Sequence, residues 1–350
     1  LPHPSHPPTP RVVEVIDTTP NQPWPQRVRL RQDERQPIGA QQVRIGMLAM
    51  TVLPADLLQM QQRYGVQPSL PYVPGHEGVA VVLETGAEVG DLQVGQRVMP
   101  LGAGGLWADE RVVPRRSLLT LPAQGDALQQ AMLAANPATA WVLLKHMGLA
   151  PGQWLLHNAA NSAVGQCIRQ LAEHLGIPLI NIVRRPQAIP AGAGGHWLVD
   201  DGLDAQALRQ QVVRITGTQP VGLALDALGG TATQSLAACL SESGRLIVYG
   251  LLSGQASQLG PHDLVFRGIE VRGFWLARWF GEAANRQASR EVYPALLELA
   301  RQGVLHMQVE QVYDLADVAQ ALAHAAQPHR RGKVLLRGLH AAVGQTAGTP

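Results

Sequence analysis

The stretch Trp154–Gly165, reading WLLHNAANSAVG, constrains this chain more than any other. An apolar strand pattern runs into a tight turn of small residues and then into a helical pattern. A second apolar segment, Leu179–Val183, follows and ends on Arg184 and Arg185. Strand, small-residue turn, helix and strand in this order form the cradle of a dinucleotide. A diphosphate needs backbone N–H groups at a helix N-terminus with no side chain in the way. Ala159, Ser162 and Gly165, at three-residue spacing, stand where three glycines are usual. The first two carry the next smallest side chains. At the end of the second strand an Asp or Glu would accept from a ribose 2′-OH. No acidic residue lies between Ile177 and Pro190, while two guanidinium groups suit a 2′-phosphate. The expected cofactor is NADPH. A tight turn with two solvated arginines is the plainer alternative at this point.

At 350 residues the chain is long enough for two domains. Its formal net charge of +2 and the lack of Lys/Arg runs argue against nucleic acid as a partner. No apolar run reaches the roughly 18–20 residues of a membrane span. The opening LPHPSHPPTP has neither a charged n-region nor an apolar core. It is expected to be a disordered tail over 1–10, and a cytoplasmic location is the default expectation. Cys167 and Cys239 have neither disulfide-framework nor metal-ligand spacing, and are expected to be buried small hydrophobes.

From Arg11 to about Gly125 short apolar runs such as Val43–Met50 and Gly78–Leu83 alternate with Gly/Pro turns, which suggests a small irregular β domain. Helical periodicity begins near Ala127, with Pro137 at a plausible helix start. Strands are then expected at Trp154–His157, Pro178–Val183, His196–Asp200, Gly222–Ala227, Arg245–Tyr249 and Ile269–Phe274, separated by helices. This is an α/β pattern that calls for a doubly wound, parallel six-stranded sheet. An amphipathic helix at Arg290–Arg301 and a strand at Lys333–Leu336 close the chain. The tail is too short to fold alone and is expected to return to the first domain.

The layout resembles the medium-chain dehydrogenase/reductase superfamily, with a GroES-like β domain over 11–133 plus 281–350 and a Rossmann domain over 134–280. Gly75-His76-Glu77-Gly78 matches the segment where zinc alcohol dehydrogenases place a histidine ligand. Their cysteine ligands are missing: Met50–Asp56 holds no Cys, and the structural four-Cys cluster is absent too. His76 is therefore expected to be a structural histidine in a zinc-independent protein. Within the superfamily the chain is most similar to the mitochondrial-type 2-enoyl thioester reductases, with quinone oxidoreductases next. Four segments carry this: Asn136–Ala140, Asn158–Gly165, Asn181–Arg184, and Gly273–Leu276 with Trp279.

The resemblance implies hydride transfer from the nicotinamide to the β-carbon of a 2-enoyl thioester, CoA- or carrier-protein-linked, followed by protonation at the α-carbon. It implies a cofactor site of Asn136, Thr139, Asn158, Ala160, Asn161, Ser162, Ala163, Val164, Asn181, Arg184, Arg185, Tyr249, Gly250, Phe274 and Trp275, with Asn136 and Thr139 by the nicotinamide. It makes Tyr64, in Arg63-Tyr64-Gly65, the candidate proton donor, with Tyr72 as the other ring. A phenol of ordinary pKa about 10 stays protonated until an enolate develops. Trp107, Trp275 and Trp279 resemble the aromatic positions that wall the substrate channel in this branch, and Arg63 and Arg278 could meet substrate phosphates. Two positions depart from the branch. Leu53-Pro54-Ala55-Asp56 lacks an Asn that usually opens this segment, and His76 replaces a frequent Asn. A quinone or enone reductase, and a non-catalytic NADPH-binding protein, are the alternatives. A homodimer joined through strand Ile269–Phe274 is also implied.

Overall fold

The structure, a computed structural model, describes residues 8–201, 204–328 and 330–342. Most of the expected tail, residues 1–7, lies outside them. The chain divides into two compact units, the first running to Ala134 and resuming at Met307, the second spanning Ala135–His306.

In the first unit the strands are β1 (Arg11–Val15), β2 (Val28–Gln32), β3 (Gln42–Thr51), β4 (Gly78–Thr85), β5 (Arg97–Pro100), β6 (Glu110–Pro114) and β7 (Leu118–Thr120). The returning tail adds β14 (Val309–Asp314) and β15 (Lys333–Arg337). β3 is buried along nearly all its length because it lies inside a sheet ordered β14-β15-β3-β4-β5-β7, with β6 also paired to it. Its Val43, Ile45 and Met47 belong to one core with Ala80 and Val82 of β4 and Val334 and Leu336 of β15. Strand β1 and the segment after β15 meet at Asp109, which is fully buried. One of its oxygens accepts from the Arg11 amide at 2.7 Å and from Arg11 Nε at 2.8 Å. The other accepts from the Leu339 amide at 2.9 Å.

The second unit holds β8 (Trp154–His157), β9 (Leu179–Val183), β10 (His196–Val199), β11 (Val221–Asp226), β12 (Arg245–Val248) and β13 (Glu270–Gly273). They form one parallel sheet ordered β10-β9-β8-β11-β12-β13. β8 and β9 are almost wholly buried, which is why they read as continuous rather than alternating apolar runs. The helix Ala163–His174 buries Gly165, Cys167, Ile168, Leu171 and Ala172 as one stripe.

The sequence boundary near 281 is corrected. Residues 281–306 cluster with the second unit because helix Arg286–Arg301 buries Val292, Leu296 and Leu299 and packs on helix Asn136–His146.

Candidate active site

The second unit carries a turn shaped for a diphosphate. Ala159 sits at φ +48°, the left-handed region that a glycine usually occupies at this point of a dinucleotide turn. Ser162 caps the following helix, its Oγ accepting from the Gly165 amide at 3.1 Å. A Cβ on Gly165 would lie 2.6 Å from the Ala159 carbonyl oxygen and 2.8 Å from Ala160 backbone atoms. The helix start thus presses directly onto the turn, with its first-turn amides directed out of the helix. Asn161 is exposed, Ser162, Ala163 and Val164 half-buried, and Ala160 buried.

Behind this turn the polar groups are engaged with one another. Asp226, fully buried at the end of β11, accepts from Asn158 Nδ2 at 2.6 Å, Thr233 Oγ1 at 2.7 Å, and the amides of Leu228 at 2.8 Å and Gly229 at 3.1 Å. Asn158 Oδ1 in turn accepts from the Ala227 amide at 2.7 Å. Asn181 Oδ1 lies 2.7 Å from His157 Nε2, and Asn181 Nδ2 donates to the His196 carbonyl at 3.1 Å. Asn158 and Asn181, expected to meet the cofactor, have their side-chain amides committed to joining adjacent strand ends. His157 is fully enclosed, and burial pushes its pKa down to about 4, so it is neutral. Its Nδ1 has no partner among the described residues.

Three expected cofactor residues sit at the same strand ends or on the first helix. Among the described residues the Asn136 Nδ2 and the Tyr249 hydroxyl are buried without hydrogen-bond partners, and Thr139 is half-buried one turn along from Asn136. Gly250 allows a close approach, since a Cβ there would lie 2.5 Å from the Ala227 carbonyl oxygen. Arg184 and Arg185 are exposed just past β9. Arg184 lines a shallow cavity together with Val199, Asp200, Asp201 and Asp204. Those carboxylates come from the end of β10 and the segment after it, not from the stretch that carries the arginines. Phe274 is half-buried and Trp275 exposed directly after β13. These features fit a dinucleotide phosphate: a glycine-like turn, a helix start without obstruction, and unpartnered buried polar atoms.

In the first unit, Asp56 opens the helix Pro54–Met60 and is fully buried. Its Oδ2 accepts from the Leu53 amide at 2.7 Å, and its Oδ1 lies 2.6 Å from His76 Nδ1. The Tyr64 ring meets the His76 ring edge-on, with centroids 5.7 Å apart. Glu77, also fully buried, accepts from Thr51 Oγ1 at 2.9 Å. Tyr72 packs against the core with its hydroxyl buried and unpartnered, and burial first, then Asp56, pushes its pKa up to about 12. Arg63 and Arg278 are exposed.

Two expected pocket walls are corrected. Trp107 is fully buried, and its indole N–H donates to the Thr51 carbonyl at 3.1 Å. Gly75 (φ +105°) exists to let it in, because a Cβ there would lie 2.4 Å from the indole. Trp279 is buried between His146 and Phe280, with ring centroids at 5.2 and 5.3 Å. Both are core residues. The sequence also missed Asp226 and the Asp56–His76 pair. A lone acid ending an apolar strand before Gly229-Gly230 could have flagged the first. The second is a tertiary pairing that spacing does not reveal.

A zinc site is not supported by the donor set. Among the described residues no group of three His, Cys, Asp or Glu side chains could hold a metal ion. Both cysteines are buried within the second unit, and burial pushes the Cys239 thiol up to about 12.

Comparison with known proteins agrees with this architecture. The alcohol dehydrogenase GroES-like domain family matches residues 39–123, and the zinc-binding dehydrogenase family matches 199–336. The human mitochondrial enoyl-[acyl-carrier-protein] reductase is 32% identical over 318 residues, covering 88% of this chain and 84% of its own. The chain belongs to the enoyl reductase family of the medium-chain dehydrogenase/reductase superfamily. Among solved structures, a proposed NADPH:quinone reductase from Bacillus thuringiensis superposes with a TM-score of 0.84 at 25% identity, covering 95% of this chain and 100% of its own. The mitochondrial 2-enoyl thioester reductase Etr1p/Etr2p heterodimer from Candida tropicalis shares the family fold, with a TM-score of 0.81 at 20% identity and coverage of 94% and 100%. The cytoplasmic expectation is overturned here, because the curated enoyl reductases that match this chain are named mitochondrial.

Proposed function

We propose that this chain is an NADPH-dependent, zinc-independent reductase of 2-enoyl thioesters, with Tyr64 as the proton donor. The observation that carries this reading is the 32% identity to an enoyl reductase over both units together. NADPH, when bound, supplies a hydride to the β-carbon of the thioester. The turn from Ala159 to Gly165 holds the diphosphate with backbone amides, and Ser162 keeps the helix start in register. Arg184 and Arg185 take the 2′-phosphate, offsetting the carboxylates of Asp200 and Asp201 nearby. Asn158 and Asn181 fix the strand ends beneath the turn. Asn136, Thr139, Tyr249 and Gly250 complete the cofactor site, with the unpartnered Asn136 amide and Tyr249 hydroxyl available to a ligand. Phe274 and Trp275 border it.

In the first unit Tyr64 gives its phenolic proton to the α-carbon as the enolate forms. Tyr64 is half-buried, and its ring packs edge-on against His76. The test is NADPH oxidation with crotonyl-CoA beside 1,4-naphthoquinone. Tyr64→Phe is expected to lower thioester turnover about 100-fold or more. Full activity of that variant, or turnover of the quinone alone, sinks the thioester reading. The quinone arm is included because of the Bacillus thuringiensis structure, whose likeness extends over 95% of this chain.

A second copy of the chain is the proposed partner. Among the described residues β13 is an edge strand with every residue exposed, Val271 included, and Val265 and Phe266 in the segment before it add exposed apolar surface. Pairing β13 with its symmetry mate would continue the sheet and cover that surface.

A further inference from the structure

His76 brings to this site an imidazole, a group that can hold and release a proton. We propose that His76, held through Nδ1 by Asp56, recharges Tyr64 with a proton after each turnover. This rests on the assignment of Tyr64 as the proton donor.

Three observations place the groups. Asp56 is fully buried and locked at the helix start, with one oxygen on the Leu53 amide and the other 2.6 Å from His76 Nδ1. The carboxylate therefore fixes which imidazole nitrogen faces inward and leaves Nε2 as the nitrogen that can deliver a proton. The His76 ring packs edge-on to Tyr64, with 5.7 Å between centroids. Its side chain keeps 31% of its surface open, so solvent can restore the proton it gives away.

The groups around His76 favour its cation. Asp56 faces it from the helix, Glu77 follows it in the chain, and Tyr64 lies across from it. Farther off, Asp56 and Arg27 both act on Tyr72 through their charges. Burial works against the imidazolium, but the hydrogen bond and charge of Asp56, with Glu77 beyond, outweigh it. His76 is thereby raised above the ordinary histidine range.

The step balances without any further reagent. The Tyr64 O–H bond breaks as the α-carbon C–H bond forms, leaving a phenolate. The His76 Nε2–H bond then breaks as the phenol re-forms, directly or through one solvent molecule. Neutral His76 keeps its Nδ1 bond to Asp56 and regains a proton from solvent. His76 is a positioning residue in this scheme, acting only through Tyr64.

The distinguishing measurement is pre-steady-state NADPH oxidation with crotonyl-CoA. In His76→Asn the first turnover is expected to keep its rate, while later turnovers slow about tenfold, so that a burst of one equivalent appears. Added imidazole should restore steady-state turnover in His76→Ala but not in His76→Ala/Tyr64→Phe. Without cofactor, NMR titration should place the wild-type His76 midpoint above the ordinary 6.5 and show it falling in Asp56→Asn. First and later turnovers slowing together, no response to imidazole, or a midpoint indifferent to Asp56 each overturn the relay. Wild-type protein inert towards crotonyl-CoA overturns the relay and the thioester reading together. Active wild type with an unaltered His76→Asn time course overturns the relay alone.

Discussion

Arg184 and Arg185 sit in a more mixed electrostatic setting than their own segment suggests. Asp200 and Asp201 arrive from the end of the neighbouring strand, and Arg184 shares a cavity with both. A 2′-phosphate there must be held against those carboxylates, so the guanidinium groups matter more than they would alone. Replacing both arginines with Ala is expected to raise KM for NADPH at least about tenfold, the loss of one or two charge-assisted bonds. KM for NADH should hardly move. Steady-state kinetics with each cofactor checks this, and equal effects on the two would refute the 2′-phosphate assignment. The arginines themselves were legible in the sequence because they end an apolar strand. The carboxylates were not, since parallel pairing brings together strand ends far apart in the chain. Asn158 and Asn181 show the same limit. Their positions beside the cradle were readable, but their amides face Asp226, Ala227, His157 and His196 rather than outward. Trp107 was misplaced for a related reason, because a bulky ring beside glycines reads equally as a pocket wall or a core anchor.

At the scale of single elements, local sequence and backbone geometry come into conflict in the turn into helix Ala163–His174. Ala159 adopts a left-handed conformation that costs an L-residue roughly 1–2 kcal/mol. Ser162 compensates in part as an N-cap, a role worth about 1 kcal/mol. Gly165 cannot be varied so freely. Gly165→Ala should drive the helix start off the turn, costing about 1–3 kcal/mol and weakening NADPH binding. Ala159→Gly should leave binding intact and not lower the melting midpoint. Differential scanning fluorimetry with and without NADPH measures both. An unchanged midpoint and affinity in Gly165→Ala would mean the helix start yields easily. Element types were legible here because strand, small-residue turn and amphipathic helix each have their own period. The glycine-like backbone of Ala159 was not, since nothing in its side chain announces φ +48°.

For the whole molecule, the proposed pairing of two copies through the exposed edge of β13 is open to a direct test. Val271→Lys places a charge on a strand whose residues are all exposed, which should abolish pairing without disturbing either core. Light scattering is expected to show a dimer for the wild type and a monomer for the variant. A monomeric wild type, or a dimeric Val271→Lys, removes this edge as the contact. The alternation of strands and helices made the six-stranded sheet readable in advance. The second domain boundary was harder, because helix Arg286–Arg301 has an apolar stripe that could serve either unit, and only packing on helix Asn136–His146 assigns it. The returning tail has a consequence for biosynthesis. Asp109 receives the Arg11 and Leu339 amides together, and β3 waits for Leu335 and Leu336 as neighbours. A ribosome releasing this polypeptide from its N-terminus therefore exposes an unfinished first half while the second half is made. Until the final segment emerges, that half has an open sheet edge that a chaperone, or an unwanted neighbour, can occupy.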